Sequence, residues 1–78
     1  MADFDIELDA SGLNCPLPVL KARKALNSMA AGEKLRLIAT DTGADKDIAA
    51  FANMTGNPLL DFYIDGDKRY FLIEKGNN

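Results

Sequence analysis

Apolar and acidic residues alternate at the start of the chain, with Phe4, Ile6 and Leu8 set against Asp5, Glu7 and Asp9. A period of two predicts a strand with one buried and one polar face. Ser11-Gly12 then reads as a turn. From Pro16 to about Ala30 the period lengthens: Val19, Ala22, Leu26 and Met29 recur at spacings of three, four and three. That is the stripe of an amphipathic helix, and Ala31-Gly32 closes it. Leu35 to Thr40 is a second strand, and Asp41 to Gly43 a turn that caps a second helix. This helix runs from Asp45 to about Thr55 and carries Ile48, Phe51, Ala52 and Met54, with Met29, Phe51 and Met54 assigned to the core. Gly56-Asn57-Pro58 stops it, and strands Leu59 to Ile64 and Arg69 to Glu74 follow, joined through the hairpin signal Asp65-Gly66-Asp67.

The predicted order is therefore β-α-β-α-β-β, an α/β (α+β) chain. The outer faces of the first and third strands are charged, so the sheet needs cover on one side only. The expected architecture is a two-layer sandwich: a four-stranded mixed sheet with two helices on one face. One domain spanning residues 1–78 is expected, since a chain of this length buries only roughly 60–65% of its unfolded surface and builds one core. These patterns carry no strand order.

Composition narrows the function. A net charge of −3 argues against non-specific nucleic-acid binding, which depends on clustered Lys and Arg. No apolar run approaches the ~20 residues of a membrane helix, and MADFDIELD is unlike a signal or transit peptide. A cytoplasmic monomer without direct nucleic-acid or membrane contact is expected. One Cys and no His exclude an intramolecular disulfide, a Cys–His nucleophile pair and a zinc site of the usual Cys/His type. No metal or other cofactor is called for.

The single cysteine stands in SGLNCPLPVLKA, with Pro16 directly behind it and Pro18 two residues further on. Placing Cys15 at the N-cap of the first helix explains the prolines. Proline at the first helical position has a pre-set φ and lacks only an N–H without a helical partner. The residue before it is driven toward the extended geometry of an N-cap. Cys15 is thus expected to face solvent at a tip carrying about half a positive charge, which depresses a thiol pKa. The prolines remove two of the donors there, so the expected depression is modest and rigid presentation is the main effect. Lys21, Arg23 and Lys24 form a basic stretch with no acid between Pro16 and Ala30, a candidate docking surface for partners. Asp41, Asp45 and Asp47 lack calcium-loop spacing and are read as helix-capping acids.

An Asp, two residues, Gly-Leu, one residue and Cys-Pro-x-Pro occupy Asp9 to Pro18, and this stretch resembles the signature of the TusA/SirA family of small sulfur carriers. The likeness continues through Lys24-Ala25-Leu26, Gly32-Glu33, Asp41, Asp47-Ile48 and Phe71-Leu72-Ile73 with Lys75. Family members often carry proline where Thr42 and Ala49 stand, and a basic residue in place of Glu74. The resemblance implies the same two-layer fold and a protein-to-protein sulfurtransferase activity. Cys15 would carry a persulfide sulfur, with Gly12, Pro16 and Pro18 positioning it. The implied donors are a cysteine desulfurase or a rhodanese, and the implied acceptor is a TusBCD/DsrE-like protein. The pathways implied are tRNA 2-thiouridine synthesis or oxidative sulfur metabolism. The alternative is a non-catalytic regulatory module that docks on a larger protein or on a thiosulfate or selenium uptake system.

Overall fold

The computed structural model describes residues 4–76. Its elements are β1 (Ile6–Ala10), α1 (Leu17–Asn27), β2 (Lys34–Ala39), α2 (Ala44–Thr55), β3 (Leu59–Asp65) and β4 (Lys68–Glu74). The predicted order holds, as does the mixed sheet. Phe4, assigned to the first strand, precedes β1. The strands lie in the order β1-β2-β4-β3. β1 and β2 pair in parallel, as a strand–helix–strand unit requires. The second crossover, through α2, leaves one position open beside β2. β4 fills it by folding back from β3, antiparallel to both neighbours. Gly66, at φ 64°, takes the left-handed position in that hairpin turn.

Leu35, Leu37 and Ala39 of β2 and Phe71 and Ile73 of β4 alternate along their strands and point to one face. Ala22 and Leu26 of α1 and Ala44, Ile48 and Phe51 of α2 cover them, so both helices share that face. The other face carries Glu7, Arg36, Tyr63 and Tyr70. There Tyr63 and Tyr70 stack with centroids 4.7 Å apart, and the Arg36 guanidinium lies 4.6 Å from the Tyr70 ring centroid.

Three expectations need correction. α1 ends at Asn27 rather than near Ala30, because Ser28 and Met29 turn their N–H groups back onto the carbonyls of Ala25 and Leu26. Gly32, at φ 91°, belongs to the following turn and gives its N–H to the Lys75 carbonyl at 2.8 Å. Met54 is 84% exposed, since α2 turns Ala44, Ile48, Phe51 and Ala52 inward; Met29 and Phe51 are buried as expected.

Candidate functional site

The β1–α1 loop is held at both ends. Asp9 Oδ1 accepts the Ser11 N–H at 2.9 Å, and Thr40 Oγ1, at the end of β2, accepts the Gly12 N–H at 2.8 Å. Gly12 has φ 81°, a conformation open to glycine and strained in other residues. The Leu13 N–H bonds the Ala10 carbonyl, and the Leu17 N–H bonds the Asn14 carbonyl.

Cys15 is exposed at the end of this loop, before a cis Cys15–Pro16 peptide bond. The N-cap of α1 is Pro16, not Cys15. Leu17 is the first helical residue and Pro18 the second, the expected pair of prolines displaced by one position. Pro18 is fully buried, so it anchors the start of the helix in the core as well as restricting its backbone.

Two carboxylates close on the cysteine. Asp41 Oδ2, from the β2–α2 loop, accepts the Cys15 N–H at 3.1 Å. Asp47 Oδ2, from the first turn of α2, accepts the thiol hydrogen bond at 2.7 Å. The hydrogen bond to Asp47 pushes the Cys15 thiol up from its ordinary pKa, and desolvation and the charges of Asp47 and Asp41 act in the same direction. This reverses the expected depression. Cys15 lies outside the helix, the Leu17 N–H is already taken, and the groups nearest the sulfur are anionic.

The acids also depart from the capping role read for them. α2 has Gly43 as its N-cap, with no side-chain cap hydrogen bond among the described residues. Asp41 and Asp47 serve Cys15, while Asp45 binds Arg69 of β4 at 2.6 Å. Asp45 and Asp47 do stand in the first turn, where the helix dipole favours them. Sequence reasoning missed Asp41 and Asp47 as site residues. The signal available was the presence of Asp41 and Asp47-Ile48 among the residues shared with the family.

Beside the sulfur a groove of about 360 Å³ runs between the helices, lined by Pro16, Val19 and Arg23 of the α1 side and Asp47, Phe51 and Met54 of α2. Arg23 is the member of the basic stretch that lines it. Lys21 and Lys24 are exposed on α1 outside it. Among the described residues no helix is long and apolar enough to cross a membrane.

Fold and site together define a small two-layer α/β domain that holds one exposed thiol on a braced loop. The family described as Sulfurtransferase TusA matches residues 6–75. The chain is 60% identical over 75 residues to the sulfur carrier protein TusA of Allochromatium vinosum, covering 96% of this chain and 99% of that one. It is 42% identical over 77 residues to the sulfur carrier protein TusA of Pseudomonas putida strain GB-1, with 96% of each chain covered. A SirA-like protein from Desulfitobacterium hafniense, 25% identical, superposes with a TM-score of 0.82 over 94% of this chain and 100% of its own. The chain belongs to the TusA family.

Proposed function

We propose that this protein is a sulfur carrier that takes a persulfide sulfur onto Cys15 from one protein and passes it to another. The observation that carries the reading is the single exposed thiol on a loop braced by Asp9, Thr40 and Asp41, in a chain of the TusA family. In loading, Cys15 sulfur attacks the terminal sulfur of a donor persulfide. The new S–S bond forms at Sγ as the donor's S–S bond breaks, and the electron pair leaves with the donor sulfur, which takes up the thiol proton. Unloading is the same exchange with an acceptor cysteine as nucleophile. Neither step changes the overall oxidation state, and neither requires a cofactor.

The chain has no histidine to activate the thiol, and its two nearest carboxylates oppose ionisation. The donor and acceptor therefore supply the activation. They are a cysteine desulfurase or a rhodanese on one side and a TusBCD/DsrE-like protein on the other, in the cytoplasm. The pathway served is tRNA 2-thiouridine synthesis or oxidative sulfur metabolism. Arg23 beside the groove, with Lys21 and Lys24 on the same helix, is the basic surface for their docking. Intact mass after incubation with polysulfide, or with a desulfurase and cysteine, tests the reading. A reductant-sensitive gain of one sulfur atom is expected, and none in Cys15→Ser. Failure of Cys15 to load from any donor while partner binding persists would instead favour a regulatory docking module.

A further inference from the structure

Two carboxylates reach Cys15 from beyond its own loop, and they differ in what they can sense. Asp41 accepts the backbone N–H at 3.1 Å, a contact indifferent to what the sulfur carries. Asp47 accepts the S–H at 2.7 Å, a contact that needs a proton on sulfur because a carboxylate offers only acceptors. We propose that Asp47 is a positioning residue that distinguishes the empty carrier from the loaded one. It binds the Cys15 thiol and drives the Cys15 persulfide anion out of the groove. The inference rests on the carrier reading given above.

Sterics and charge both lead to this. A second sulfur bonds to the first at about 2.05 Å. Asp47 Oδ2 already stands 2.7 Å from Sγ, so the added atom has no room on that side and turns away. A persulfide is also a stronger acid than a thiol and carries its negative charge on the terminal sulfur. The charged groups around that sulfur are Asp47 from α2, Asp41 from the β2–α2 loop and Arg23 from α1, which lines the same groove. The carboxylates are the two in direct contact with Cys15, and like charge at such range disfavours the anion.

The loading exchange itself breaks the contact. Cys15–SH and a donor R–S–S⁻ become Cys15–S–S⁻ and R–SH, so the proton shared with Asp47 ends on the donor sulfur. Atoms and charge balance, and no oxidant is needed. The empty thiol is thereby retained against α2, and the loaded sulfur is presented outward.

The test compares the wild-type protein with Asp47→Asn in two measurements. Cys15 alkylation by iodoacetamide, a neutral reagent, is followed against pH by intact mass. The variant is expected to reach its midpoint at lower pH, each unit of displacement meaning about tenfold more thiolate below the midpoint. After polysulfide loading, removal of the added sulfur by a neutral phosphine is expected to run several-fold slower in Asp47→Asn, whose persulfide is not expelled. Coincident pH profiles, or removal as fast as or faster than in wild type, overturn the inference. If Asp47→Asn does not fold, Asp47→Ser takes its place with the same expected results. With either variant, a wild-type native alkylation midpoint equal to or below that of the same protein unfolded in urea also overturns the inference. Loading is scored separately. Wild type that takes no sulfur defeats the carrier reading, whereas wild type that loads but matches Asp47→Asn in both measurements defeats only the role of Asp47.

Discussion

Gly12 holds φ at 81° with its N–H on Thr40 Oγ1, and a Cβ built there meets nothing within 4 Å. Backbone strain alone therefore sets the effect of substitution. Gly12→Ala is expected to lower stability by about 1 kcal/mol, seen as a lower urea midpoint with an unchanged m-value. Cys15 yields a prediction of definite sign. Its folded-state pKa is raised, so the stabilisation from its thiol is complete below the unfolded pKa and is lost as pH rises through the folded one. Thermal melts across the alkaline range are expected to show wild type losing more Tm with rising pH than Cys15→Ser. The proline motif around this thiol is readable in the chain itself, because its effects on φ and on donors are local. The sign of the pKa shift is not, because the groups that cause it lie 26 and 32 residues away.

At the scale of elements, α2 and β4 are tied at both ends. Gly56, at φ 72°, caps α2 and returns its N–H to the Ala52 carbonyl. The buried Asn57 then donates from Nδ2 to Thr55 Oγ1 and accepts the Gly76 N–H on Oδ1 at 2.8 Å. Asn57→Ala leaves the Gly76 N–H without this acceptor and is expected to cost about 1–3 kcal/mol by denaturant unfolding. At the other end Arg69 meets Asp45 at 2.6 Å, with the side chains 14% and 34% exposed. A double-mutant cycle with Arg69→Met and Asp45→Asn is expected to give a coupling of up to about 1 kcal/mol, falling with added salt. Element types were legible because periods of two and near 3.6 are properties of a short stretch of chain. The end of α1 was not, because Gly32 marks the turn while the backbone leaves the helix earlier, at Ser28. Met54 sits three residues after Phe51 and fits a helical stripe, yet α2 buries a narrower face than that stripe allows.

In the whole molecule, the core joins one face of the sheet to two helices around the fully buried Phe71. Phe71→Ala is expected to cost about 3–5 kcal/mol, and Met54→Ala to stay within about 0.5 kcal/mol, in the same urea titration. What the chain determined alone is the order and type of its elements, a one-sided sheet, and a lone proline-flanked cysteine at a strand–helix junction. All of these follow from neighbouring residues. The tertiary structure decided the strand order, since the apolar pattern of a strand names the face it buries and not the strand beside it. It also decided the setting of the thiol. Parallel pairing of β1 with β2 sets Ala10 beside Ala39, so the loops after both strands emerge at the same end of the sheet. There Asp41 and the first turn of α2 meet Cys15, and the helix-tip cysteine of the sequence becomes a residue bound by two carboxylates, Asp41 on its N–H and Asp47 on its thiol.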